Sequence, residues 1–176
     1  MTDSGALAWR AVTFDIDGTL TTRHGWRVIA ERRGKLPDYE RTNRRFFALE
    51  ETEDEHLRRL LELAVGMTAA ELHEILELTP KIAGIDATVA ALQDRGIRVG
   101  LLTHNPPYVT DWYRSRFGFE DAEGVDGPSL LEGVVGPLGA IHADKALGVT
   151  RLAERWGIPR EQFVHVGDGW ADGHVF

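Results

Sequence analysis

The 176-residue sequence contains no cysteine, which excludes disulfides and thiolate metal sites. No uncharged apolar run approaches the ~20 residues that a membrane span needs. The opening MTDSGALAWR also lacks the basic start and apolar stretch of a signal peptide, so a cytoplasmic protein without a membrane partner is the expectation. Positive charge is in deficit: the net charge of -8 disfavours general nucleic-acid affinity. The seven histidines show no HxxxH or HExxH pairing, which argues against a zinc site. No internal repeat or low-complexity segment occurs, and nothing in the composition sets an oligomeric state. What is present is 43% hydrophobic and 27% charged residues, enough for one good core and a small second module.

Along the chain, helical periodicity dominates from about Thr22 to Leu78, and an alternation of strands and helices follows. Thr52 with Glu55 and Thr68 with Glu71 each match a capping box, followed by Leu57, Leu60, Leu61 and Ala64 and then by Leu72, Ile75 and Leu76 at helical spacing. Trp26 to Ala30 predict a helix ending near Gly34, and Pro37 opens another that carries Phe46, Phe47 and Leu49. Buried strands are expected at 11–16, 97–102 and 163–166, with helices at 85–95, 107–116 and 145–156 and short strands or a hairpin in the glycine-rich stretch 124–139. The pattern predicts an α/β fold, a doubly wound parallel sheet, with a helical insertion over residues 21–80. The core would then be residues 1–20 and 81–176.

Each predicted strand ends in polar residues. Residues 14–20 read FDIDGTL, placing Asp15 and Asp17 two apart where the apolar run stops; Thr103, His104 and Asn105 follow the second strand, and GDGWAD with Asp168 and Asp172 follows the third. In an open α/β sheet the reactive groups gather at the carboxyl ends of the strands. His165 lies inside a strand and reads as core packing or a core hydrogen bond.

DIDGTL, LLTHN, Lys145 and GDGWAD, in that order, resemble the haloacid dehalogenase-like (HAD) superfamily of phosphotransferases, closest to its phosphoserine phosphatase-like branch. The resemblance spans essentially the whole chain and implies a Rossmann-like core with a helical-bundle cap. It implies Asp15 as the nucleophile that forms an aspartyl-phosphate, and Asp17 as the acid and then the base. Thr103 and Lys145 would hold the phosphoryl oxygens, with Gly18 and Thr19 shaping the loop around them. Asp15, Asp168 and the backbone carbonyl of Asp17 would ligate a metal, with Asp172 orienting that shell. Three converging carboxylates would repel a phosphate dianion by roughly 4 kcal/mol per charge pair at 4 Å and an effective dielectric of 20, so a hard divalent cation is required, and Mg2+ is the usual one.

The implied function is Mg2+-dependent hydrolysis of a small phosphorylated metabolite. A phosphotransferase or phosphomutase, or an inactive metal-binding homologue, would carry the same residues. Departures from the branch concern the substrate. His24 stands where the branch has the glutamate that binds the substrate amine, and Leu60 where it has an arginine for the carboxylate. His104 and Asn105 replace two glycines, and Ala171 replaces an asparagine. A phosphomonoester other than phosphoserine is therefore expected, with Arg23, His24, His104 and Asn105 as substrate contacts. After Asp172 the branch continues with another strand and helix, whereas four residues follow here. Between Arg23 and Arg45 lie eight basic and three acidic residues, either a solvated helical face or a surface that steers an anion.

Overall fold

In the computed structural model, which describes residues 9–141 and 144–176, the elements follow the predicted alternation. In chain order they are β1 (Ala11–Phe14), α1 (Gly25–Arg32), α2 (Leu36–Phe47), α3 (Glu53–Glu62), α4 (Ala69–Leu78), α5 (Ile85–Gln93), β2 (Arg98–Leu102), α6 (Pro107–Phe117), β3 (Asp121–Glu123), β4 (Leu130–Leu131), β5 (Val134–Val135), α7 (Lys145–Trp156) and β6 (Phe163–Val166). The first eight residues of the expected core segment lie outside the described residues.

β1 and β2 are apolar runs without alternation, as strands covered on both faces must be. They sit in a four-stranded sheet of order β3-β2-β1-β6, in which every neighbouring pair is parallel. Apolar side chains of α5 and α6 pack one face around Val99, Leu101 and Tyr113, while Val149 and Leu152 of α7 cover the other with Leu102 and Phe163. Helices thus lie on both faces of the sheet. Gly118 and Gly157 end α6 and α7 with φ of 78° and 62°, the left-handed conformation in which a side chain would be strained. Among the described residues no helix is long and apolar enough to cross a membrane.

β3 is not legible as a strand, because its three residues, Asp121-Ala122-Glu123, are mostly acidic. Arg155 on α7 makes this edge tolerable: its guanidinium donates to Asp121 Oδ2 at 2.8 Å and also pairs with Glu123.

The four helices α1–α4 share one apolar cluster, with Trp26, Ile29, Tyr39, Leu57, Leu61, Met67, Leu72 and Ile75 buried in it. Both predicted capping boxes form, Thr52 with Glu55 and Thr68 with Glu71. The chain leaves and rejoins the sheet domain through two segments that pair with each other. Thr21 bridges Lys81 in antiparallel fashion, Thr22 N–H donates to Pro80 O at 3.0 Å, and Ile82 N–H to Leu20 O at 3.0 Å. The β4–β5 hairpin, later in sequence, docks on these helices: Gly66 N–H donates to Val135 O at 2.9 Å and Val135 N–H to Met67 O at 2.8 Å. Val125, Val135 and Ile141 complete the helical cluster.

Two apolar residues expected on α2 differ from a core role. Phe47 is 78% exposed and Leu49 91%, because α2 ends at Phe47 and Leu49 turns out of it with a φ of 58°. In urea denaturation, Leu61→Ala should therefore lower the unfolding free energy by about 2–5 kcal/mol. Phe47→Ala should change it by less than about 0.5 kcal/mol.

Candidate active site

Asp15 is the first residue beyond β1, and its N–H still donates to Val166 O at 2.9 Å, so its carboxylate projects from the rim of the sheet. Asp168 follows β6 by two residues, and Asp172 lies in the 3₁₀ turn Trp170–His174 that folds back over the strand end. One ligand oxygen from each of the three carboxylates lies within 4.8 Å of the others. At that separation each pair of unit charges repels by roughly 3–4 kcal/mol at an effective dielectric of 20. Lys145, the first residue of α7, answers part of this: its buried ammonium is 3.0 Å from Asp15 Oδ2 and also pairs with Asp172 Oδ1. A cation at a helix N-terminus opposes the helix dipole, so the two carboxylates are what make that position favourable. Three clustered hard oxygen donors with one ammonium leave net negative charge, and this donor set fits a hard divalent cation.

The loop after Asp15 is shaped by closeness to Asp168. Gly18 has a φ of 84°, and a Cβ built there would stand 2.2 Å from Asp168 Oδ2. Thr19 Oγ1 donates to Asp168 Oδ1 at 3.1 Å, so this loop and the one after β6 are joined directly.

Asp17 turns elsewhere, and its side chain is not part of the carboxylate cluster. Its Oδ1 accepts from Gly25 N–H at 2.6 Å and its Oδ2 from Asn105 Nδ2 at 3.0 Å. Burial raises its pKa above the ordinary aspartate value, while Asn105 and His24 pull the other way. Asn105 also donates to Thr103 Oγ1 at 3.0 Å, using the threonine oxygen as acceptor and leaving its O–H available to donate. The predicted substrate contact Asn105 is thus buried and engaged with Asp17 and Thr103.

The remaining expected contacts diverge. His104 faces the helices, with Nδ1 3.5 Å from Glu53 Oε1. Burial, and then Lys145, pushes its pKa down to about 4, so at neutral pH this is a polar contact and not an ion pair. His24 is exposed as the residue before α1, within electrostatic reach of Asp17. Arg23 is taken up by Glu31. The basic run as a whole is largely neutralised: Arg27 lies against Glu31 and Glu40, Arg32 against Glu74, Arg41 against Asp38, and Arg45 against Glu51.

His165, expected as core packing or a core hydrogen bond, is hydrogen-bonded at both ring nitrogens, and its tie to Asp172 was not anticipated. Its Nε2 lies 2.7 Å from Asp172 Oδ1 and its Nδ1 2.9 Å from Thr13 Oγ1. The available signal was its spacing, since it stands two residues before Gly167 on the strand that delivers Asp168.

Comparison with known proteins follows the same lines. Phosphoserine phosphatase SerB2 of Mycobacterium tuberculosis is 28% identical over 175 residues, an alignment covering 94% of this chain and 42% of that protein. A phosphoserine phosphatase of Archaeoglobus fulgidus is 25% identical over 167 residues, covering 93% and 48%. The chain thus spans less than half the length of the curated relatives it matches. In fold, it is similar to a HAD family hydrolase from Salmonella enterica serovar Typhi, with a TM-score of 0.86 at 17% identity, covering 96% of this chain and 60% of that one. It is also similar to a phospho-aspartyl intermediate analogue of phosphoserine phosphatase, with a TM-score of 0.76 at 18% identity, covering 95% and 81%. A model of haloacid dehalogenase-like hydrolases matches residues 9–173, nearly the whole chain, and with the strand-end carboxylates and lysine in their order this protein belongs to that family.

Proposed function

We propose that this protein is a Mg2+-dependent phosphomonoester hydrolase that works through an aspartyl-phosphate on Asp15. The observation that carries the reading is the meeting of Asp15, Asp168 and Asp172 around one point with Lys145 beside the first of them. Asp15, Asp168 and the carbonyl of Asp17 would hold the Mg2+, with Asp172 behind them; when bound, the ion offsets the charge of the phosphate dianion. Lys145 and the free O–H of Thr103 supply further donors for phosphoryl oxygens.

In the first step an Asp15 oxygen attacks phosphorus, the bond from phosphorus to the ester oxygen breaks, and Asp17 gives its proton to the departing alkoxide. In the second, Asp17 takes a proton from water as that water attacks phosphorus, and the bond to Asp15 breaks, releasing inorganic phosphate. The raised pKa of Asp17 suits the first role, because it keeps the protonated form available nearer neutrality. Asn105 and the Gly25 N–H fix the orientation of that carboxyl group.

Helices α1–α4, in residues 21–80, act as a cap over a core made of residues 1–20 and 81–176. Beside Asp17 the cap and core leave a cavity of about 20 Å3 flanked by Trp26, Ile29, Leu72 and Tyr113, room for about one water molecule. A substrate group larger than that reaches Asp17 only if the cap swings, and the segments around Thr21-Thr22 and Thr79-Pro80, joined by the Thr21–Lys81 bridge and the Thr22–Pro80 hydrogen bond, would be the hinges.

The substrate is a small phosphorylated metabolite other than phosphoserine. Leu60 is buried in the helical cluster, Arg58 donates to Gly139 O at 3.4 Å, and Arg59 lies 3.0 Å from Glu51, so none of the three offers a clamp for an amino-acid carboxylate.

4-Nitrophenyl phosphate should be hydrolysed in the presence of Mg2+, and chelation should abolish turnover. Asp15→Asn should be inactive in the same assay; turnover of this variant at the wild-type rate would overturn the nucleophile assignment. Asp17→Asn should slow turnover by about 10²–10⁴-fold. It should also accumulate phosphorylated protein, visible by intact mass, because the base of the second step is lost.

Across a panel of phosphomonoesters, kcat/KM for phosphoserine should fall below that for esters of uncharged alcohols. A clear preference for phosphoserine would reject the substrate class.

Gly18→Ala should lose most activity. The new methyl group meets Asp168 and must displace it, and circular dichroism should show the fold retained.

A further inference from the structure

We propose that His165 is a positioning residue of the phosphoryl-transfer site, holding Asp172 turned toward Lys145 and the other two carboxylates; this rests on the reading of that site given above. Thr13 and His165 are register partners on the adjacent strands β1 and β6. If the strand alternation carries one residue past the end of each strand, residues 13 and 15 share a face, and so do residues 165 and 167. Gly167 leaves the place above His165 without a side chain, and Asp172 occupies it: a Cβ at Gly167 would stand 2.1 Å from Asp172 Cγ. The 3₁₀ turn thus lowers its carboxylate into a slot whose floor is the imidazole.

The bonding in this slot is directional. An ionised carboxylate only accepts, so Nε2 carries the proton in its 2.7 Å contact with Asp172 Oδ1. Oδ1 is shared with the Lys145 ammonium, while Oδ2 accepts from Gly169 N–H at 2.8 Å. At the other end of the ring, Thr13 Oγ1 lies 2.9 Å from Nδ1, and Thr13 is fully buried. The His165 side chain is 3% exposed, so little water reaches the ring to replace either partner. Lys145 and Gly169 alone would let the carboxylate swing about the axis joining them; the imidazole removes that freedom. The chain Thr13–His165–Asp172–Lys145–Asp15 therefore ties the interior of β1 to the carboxylate at its own end.

The test uses Mg2+ alone as ligand, followed by titration calorimetry, beside 4-nitrophenyl phosphate hydrolysis and thermal unfolding. His165→Gln keeps an N–H near the Nε2 position, His165→Asn is too short to reach Asp172, and His165→Phe keeps only volume. Mg2+ affinity should fall by about 10–100-fold in the Asn and Phe variants and stay near wild type in the Gln variant. Unchanged Mg2+ affinity in folded Asn and Phe variants overturns the inference, as does a Gln variant impaired as much as the Phe variant. Should the Asn and Phe variants not fold, Thr13→Val against Thr13→Ser carries the test, since only the first loses the hydroxyl; equal Mg2+ affinity in the two overturns it. Wild-type protein that binds Mg2+ but hydrolyses no phosphomonoester would reject the phosphatase reading while the calorimetry still decides the role of His165. Wild-type protein that takes up no Mg2+ overturns both.

Discussion

Like charges held within 4.8 Å of one another constrain everything else in this molecule. Asp15, Asp168 and Asp172 are brought together by strand ends and a 3₁₀ turn, and the mutual repulsion must be offset at a sheet rim where Asp15 and Asp172 are largely withdrawn from solvent while Asp168 is exposed. The folded chain supplies one ammonium, from Lys145, and a set of hydrogen-bond donors: Ile16 N–H to Asp15, Thr19 Oγ1 to Asp168, and Gly169 N–H and His165 to Asp172. These hold the carboxylates oriented, with an unmet preference for positive charge at their centre. That residual field is what gives the site its proposed affinity for Mg2+ and, through it, for a phosphoryl group.

Most of the sheet domain was legible because its signals are local. β1, β2 and β6 are apolar runs with polar stops, α7 runs over the predicted residues, and both capping boxes form where Thr52 and Thr68 predict them. The residues at the strand ends were legible for the same reason, since the fold class fixes which end of each strand carries chemistry. What escaped depends on partners far away in sequence. The acids of β3 are paired by Arg155, His165 meets Asp172 because that residue folds back over Gly167, and Asn105 reaches Asp17 because the loop after β2 passes beside the one after β1. Phe47 and Leu49 escaped for the opposite reason: they satisfy a helical apolar pattern at the point where the helix ends. The basic run could not be resolved in one dimension either, because two of its carboxylate partners, Glu51 and Glu74, come from other segments.

The helical insertion is less separable than its place in the sequence suggests. Two adjacent connectors lead into it, but the β4–β5 hairpin pairs with its backbone and Val125, Val135 and Ile141 lie in its apolar cluster. A motion of these helices must either carry the hairpin along or break its bonds to Gly66, Met67 and Ala69. Any motion of the segment between α6 and α7 is therefore bound to motion of these four helices.

The same long-range closure has a consequence for biosynthesis. Asp15 leaves the ribosome well before the strand that flanks it on one side and two of the carboxylates that face it. The apolar cluster of the helices that precede them is completed only by Val125, Val135 and Ile141 from later in the chain. A nascent chain stalled anywhere before β6 would hold Asp15 with neither Asp168 nor Asp172 opposite it, so the carboxylate cluster closes only once β6 and the turn after it have been made.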